Sequence, residues 1–191
     1  EGVLDKALAA EPIPWAHPQQ AAAPDKPFFA YLATGSAHAP LQAPADWIAR
    51  FKGKFDAGYD VMQAETVRRQ RQMGLIPAST SATPRPKGID AWTDLSPARK
   101  KINARYMEVY AAMLAYQDNQ IGRILDELDR MGKADNTLVI WITGDNGAAA
   151  EGGVDGQSSP MAHFANGLEE DESTLLANLD KVGGPDAVAN Y

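Results

Sequence analysis

At 191 residues the chain has the length of one sizeable domain or of part of a larger one, and its 45% apolar and 23% charged residues exclude wholesale disorder. Eighteen Lys and Arg against twenty-five Asp and Glu give a net charge of −7, with no basic run longer than Arg99-Lys100-Lys101, so no nucleic-acid partner is expected. No apolar stretch approaches the roughly 20 residues of a membrane-crossing helix, so no transmembrane segment is expected, and the lack of cysteine removes disulfides, thiolate metal sites and thiol nucleophiles together.

Residues 1–26 read as a loose, proline-rich approach segment, with a short helix around Val3 to Ala10 and no basic-then-apolar leader. Phe28 to Ala33 is a continuous apolar run between Pro27 and Gly35, which predicts a strand covered on both faces. Pro40 and Pro44 keep the next residues out of a ladder, so His38 lies on a loop just past that strand. A brief helix over Ala45 to Phe51 and a largely solvated one over Asp60 to Gly74 come next, then a surface loop from Pro77 to Pro86.

Ser96-Pro97 supplies an N-cap and first-turn signal for a long helix. Ile102, Tyr106, Val109, Tyr110, Met113, Leu114, Ile121, Ile124, Leu125, Leu128 and Met131 recur along one face of it, which is a core stripe and explains its Met and Tyr residues. A kink or break near Gln117 to Gly122 is expected from its length, and Gly132 ends it. Thr137 to Thr143 predicts a second buried strand, so the order strand, helices, strand reads as α/β with a parallel sheet. A helical segment near Glu172 to Val182 closes on Gly183-Gly184-Pro185.

Gly144-Asp145-Asn146-Gly147 sits directly after the second predicted strand, where ligands of open α/β sheets gather. Asp145 and Asn146 offer hard oxygens suited to Ca²⁺ or Mg²⁺; the same tetrapeptide is also a hairpin-turn signal that binds nothing. His38, past the end of the first predicted strand, would share that rim and could donate to an anionic oxygen or carry a proton. His17 and His163 read as surface residues. Ser158-Ser159-Pro160 imitates the start of a Ser-x-Pro nucleophile motif, but Met161 and Ala162 come after it without an arginine.

Pro27-Phe28-Phe29-Ala30-Tyr31-Leu32, His38-Ala39-Pro40-Leu41-Gln42-Ala43-Pro44, Met107-Glu108-Val109-Tyr110, Asp118 to Arg123, and Asp135-Asn136-Thr137-Leu138-Val139-Ile140 through Gly144-Asp145-Asn146-Gly147 together resemble the type I sulfatases, in particular their bacterial arylsulfatase branch. The resemblance runs from about Asp25 to the end. It implies an α/β, alkaline-phosphatase-like parallel-sheet sandwich, incomplete in this chain, with residues 27–191 as a partial catalytic domain. It also implies hydrolysis of a small-molecule sulfate ester by a formylglycine nucleophile beside a divalent cation, usually Ca²⁺ with Mg²⁺ as the alternative.

Carried over residue by residue, Asp145 and Asn146 match the late metal-ligand pair, and His38 matches the histidine that meets the sulfate and leaving-group oxygen. Ala37 departs from the proline usual before that histidine. The formylglycine precursor, the early aspartate pair and two further substrate-binding groups would lie upstream of residue 1, and a last lysine beyond Tyr191. The chain alone is therefore expected to be inactive. A periplasmic or secreted location is implied by the family. The alternatives are a phosphodiester or phosphonate hydrolase of the same superfamily, and a non-catalytic remnant with exposed apolar faces on both predicted strands.

Overall fold

The computed structural model describes residues 10, 12–144, 152–159, 161, 165–168 and 170–189. Among them five α-helices are formed: α1 (Pro12–Ala22), α2 (Ala45–Ala49), α3 (Gly58–Gln72), α4 (Pro97–Arg130) and α5 (Glu172–Asn178), with single 3₁₀ turns at Trp92–Asp94, Ala134–Asn136 and Leu179–Lys181. The expected helix at Val3 to Ala10 falls almost wholly outside the described residues.

The 34-residue α4 organises the rest. Ser96 Oγ accepts the Arg99 N–H at 3.0 Å, and Pro97 occupies the first turn, where its missing N–H costs no helical bond. Gly132, at φ +64°, ends the helix just past Met131. The expected break near Gln117 to Gly122 is not there. No proline comes after Pro97 inside the helix, and a lone Gly122 weakens a helix without interrupting its ladder.

Ile102, Tyr106, Val109, Ala112, Met113 and Tyr116 are buried at the predicted spacing. They pack against Ile48 of α2, Leu41, Leu175 of α5, Leu179 and Val182. Trp47 meets Tyr116 edge-on at 5.3 Å, with the Arg50 guanidinium 3.8 Å over its ring. The stripe is covered only over its first two-thirds: Ile121, Ile124 and Leu128 are half-buried and Leu125 is exposed.

The approach segment departs from its expected looseness, because α1 occupies Pro12–Ala22 despite Pro18 inside it. It carries no apolar period for sequence to reveal, and polar contacts hold it instead. His17, exposed as expected, meets the carboxylate of Glu127, which is buried on α4 and also takes Arg130. Lys133 Nζ donates to the Pro24 carbonyl at 2.9 Å.

Neither predicted strand forms, and the described residues contain no sheet; Gln42 and Gly183 make an isolated parallel bridge. Phe29 is 87% exposed and Leu138 85% exposed, and no backbone group of 27–34 or 138–144 bonds another backbone group among the described residues. The reason is physical: a parallel strand satisfies its N–H and C=O groups only on neighbouring strands, and two short apolar runs do not make a sheet by themselves. Each run is tied at its start to Lys133, just past α4. The first passes from Pro24, held at Lys133, to Thr34, which accepts from Gln117 of α4. The second leaves from Thr137, whose hydroxyl donates to the Lys133 carbonyl at 2.7 Å, and the chain returns to Arg99 and Asn103 at Asp155.

Gly183 is the tightest point of the core. At φ +93° a Cβ would stand 2.7 Å from Ile48 Cδ1 and 2.8 Å from Val109 Cγ2. Gly183→Ala is expected to cost about 2–3 kcal/mol, from left-handed strain plus overpacking, read as a lower urea midpoint with unchanged slope.

Asp60 of α3 accepts the Trp92 N–H at 2.9 Å and an Arg85 N–H at 2.9 Å, and these two bonds, the first foremost, hold its carboxyl below the ordinary aspartate range. A depressed folded value stabilises the fold fully above the unfolded value, and that contribution is lost as pH falls through the folded one. Acid is therefore expected to speed amide exchange at Trp92, and Asp60→Ala to remove that pH dependence.

Candidate functional site

His38 stands on a loop closed by its own N–H to the Gly35 carbonyl at 3.0 Å, with cis bonds at Ser36-Ala37 and Ala39-Pro40. Its ring is exposed, and Nδ1 lies 2.9 Å from the Ala39 carbonyl. A carbonyl only accepts, so Nδ1 carries the proton and Nε2 is left for a ligand.

Residues 41–43 pin this loop. Leu41 is buried and donates its N–H to the Ala189 carbonyl at 3.0 Å, while Ala43 donates to the Gly183 carbonyl at 3.2 Å. Gln42 Nε2 donates to the carbonyls of Pro185 and Ala187 at 3.0 and 2.8 Å. The exposed imidazole is thus carried on a backbone tied to the core on its C-terminal side.

Asp145 and Asn146 lie outside the described residues, as does His163. Their meeting with His38 is therefore not among the contacts described. Among the described residues no three His, Asp or Glu side chains gather as a metal site. Ser158 and Ser159 are engaged by Glu170, which accepts the Ser158 N–H at 2.5 Å, its hydroxyl at 2.6 Å and the Ser159 N–H at 3.3 Å. This agrees with setting aside their nucleophile-like spacing. A cleft of about 1420 Å³ runs between α2, α4 and residues 179–185, past Trp47, Lys101 and Arg105, and His38 does not line it.

A network that sequence reading missed centres on Arg99. Its Nε donates to both Asp155 oxygens at 3.0 and 3.1 Å, and its Nη1 to Asp90 at 2.9 Å. Buried Asn103 adds a bond to Asp155 at 3.2 Å. These carboxylates, Asp155 first, raise the Arg99 pKa above its ordinary value. The network fastens Asp155, in the described stretch 152–159, to the first turns of α4. Only Arg99 and Asn103 at helical spacing (i, i+4) hinted at it, and their partner Asp155 is more than fifty residues away.

A sulfatase family model matches residues 1–171. The chain belongs to the sulfatase family. It is 39% identical over 136 residues to an arylsulfatase of Klebsiella aerogenes, covering 71% of this chain and 29% of that protein. It is also 39% identical over 149 residues to an uncharacterised sulfatase of Schizosaccharomyces pombe, covering 74% of this chain and 26% of that one. This sulfatase chain therefore spans little more than a quarter of the length of these relatives. The family match begins ahead of Asp25. Membership implies the alkaline-phosphatase-like α/β fold, of which the described residues supply helices and the two bare runs.

Replacing Gln42 by Ala is expected to free two carbonyls at 185 and 187 and lower stability by about 1 kcal/mol. The His38 ring resonances should sharpen toward those of a mobile loop in the same variant, as seen by NMR.

Proposed function

We propose that this chain carries one side of a sulfuric ester hydrolase site, acting on a small-molecule sulfate ester of the arylsulfatase kind. The carrying observation is the sulfatase match over residues 1–171 together with 39% identity to an arylsulfatase. The order of the sequence supports it, because His38 and Asp145-Asn146 each come just past an apolar run, where the carboxyl end of a strand of the family's α/β fold presents its ligands.

In this reading Asp145 and Asn146 hold the divalent cation, Ca²⁺ before Mg²⁺, through their side-chain oxygens. The cation, when bound, offsets charge gathering on the sulfate oxygens. His38, with Nδ1–H given to Ala39, turns Nε2 toward the bridging oxygen; in its imidazolium form it delivers the Nε2 proton to that oxygen as the alcohol leaves and is left as the neutral Nδ1–H ring. Two oxygens fill only part of the six to eight positions Ca²⁺ takes. The chain also has no Cys/Ser-x-Pro-x-Arg segment to become formylglycine. Cation binding by the purified chain is therefore weak, and aryl sulfate turnover is absent.

Terbium luminescence sensitised by Trp141, with Ca²⁺ and Mg²⁺ as competitors, tests the reading. Binding in the range of roughly 10⁻³ M or weaker is expected, abolished by the double substitution Asp145→Ala, Asn146→Ala. Binding indifferent to that double substitution, or hydrolysis of an aryl sulfate by the 191-residue chain, overturns it. A second reading, the non-catalytic remnant, is favoured by the bare apolar runs. It predicts no cation binding that responds to positions 145 and 146, so the same titration separates the two.

A further inference from the structure

Gln117 lies within the unbroken ladder of α4, next to Tyr116, which is buried against Trp47 of α2. Its backbone is therefore fixed twice, by the helix and by the core beside it. From there its Nε2 donates to Thr34 Oγ1, a residue 83 positions earlier in the chain. No group of the run 28–33 takes part in this contact, so it is compatible with a strand of the family's sheet ending at Ala33.

Thr34 opens the loop that displays His38. Residues 34–37 are half-buried, the imidazole then emerges into the open, and Leu41 returns the chain to the core. The Gly35 carbonyl, one residue past Thr34, accepts the His38 N–H at 3.0 Å, and the Ala39 carbonyl takes Nδ1 at 2.9 Å. Both bonds that orient the ring are thus built on peptides strung between two posts, Thr34 and Leu41. A loop held at Leu41 alone can pivot about that post, and a ring on a pivoting loop is aimed nowhere in particular. The bond from Gln117 removes the pivot, because α4 itself cannot follow the loop.

We infer that Gln117 is a positioning residue for His38. Through Thr34 it holds the first post of the loop, which keeps Nδ1 on the Ala39 carbonyl and leaves Nε2 directed outward for an anionic oxygen. The inference rests on the role given to His38 under the sulfate ester reading, and Gln117 acts through Thr34 rather than on a substrate.

The test uses the 191-residue chain labelled with ¹⁵N, followed by NMR at about pH 8, where imidazole rings are largely neutral. In Gln117→Ala the His38 amide is expected to exchange with water about fivefold faster, the factor that one lost hydrogen bond represents, while the Leu41 and Ala43 amides keep their rates. The His38 ring nitrogens should move from the Nδ1–H pattern toward the averaged shifts of the two tautomers. Thr34→Val, similar in shape without the hydroxyl, should reproduce both changes, and the two substitutions together should add nothing to either alone. Gln117→Glu should restore both signals, because its carboxylate accepts the Thr34 O–H. A His38 amide and ring unchanged in Gln117→Ala overturn the inference. So does an equal acceleration at Leu41 and Ala43, which would mean general loosening, and so does a Gln117→Glu chain that behaves like Gln117→Ala. These signals need neither cation nor sulfate ester, so they can fail while the terbium titration succeeds, and the reverse.

Discussion

The close approach of Val109 and Ile48 to the backbone of Gly183 is the constraint on which the described structure depends. Only a residue without Cβ, at φ +93°, lets α2, α4 and the C-terminal segment converge at one point. The same residue forms the parallel bridge with Gln42 and accepts the Ala43 N–H. The loop that displays His38 is therefore continuous with a point of close packing in the core. An exposed imidazole on a free loop would spend most of its time misdirected; one carried a few residues from a core anchor loses less freedom when it engages a substrate.

Apolar packing does only part of the assembly. The C-terminal third of α4, α1 and the glycine-bearing stretch 152–156 are held by polar contacts: Glu127 with His17 and Arg130, Lys133 with Pro24, Arg99 and Asn103 with Asp155. Glu127 is the instructive case. A carboxylate this buried is tolerable because both its oxygens have cationic or donor partners, and removing one partner would leave a desolvated charge behind. Such contacts fix geometry more than they add stability, and they bear on the two ends of the helix, of which the C-terminal one has its apolar stripe only partly covered.

What the sequence disclosed divides along the same line. Of the stripe expected from Ile102 to Met131, the members Ile102, Tyr106, Val109 and Met113 are buried while Leu114 and Leu125 are exposed; these four, the Ser96 cap and the Gly132 stop were legible because each follows a local rule that the chain obeys by itself. So was the placement of His38 on a loop, since two prolines fix it. The helix at Pro12–Ala22 was not legible, because its attachment rests on one histidine meeting a carboxylate 110 residues away. The Arg99 network was hidden for the same reason. The helix break expected near Gly122 came from length alone, and length does not oppose an intact ladder. At the candidate site, residue types carried the expectation, and Asp145 and Asn146 fall outside the described residues, so that half rests on family membership.

The two apolar runs show why strand propensity is not the same as a sheet. Helix hydrogen bonds close within four residues, so α4 forms wherever its sequence occurs and packing merely selects its face. A parallel strand has no such self-sufficiency: every bond it makes belongs to a neighbour, and a right-handed crossover brings only one neighbour at a time. Runs 28–33 and 137–143 have the composition of strands, yet they lie bare. In a chain spanning little more than a quarter of its relatives' length, local elements persist and the cooperative one does not. Any chemistry at the end of those runs inherits this dependence. A loop side chain is aimed only as well as the strand behind it is paired, and the rim that would join His38 to Asp145 and Asn146 gains its rigidity from ladder bonds these residues cannot make with themselves.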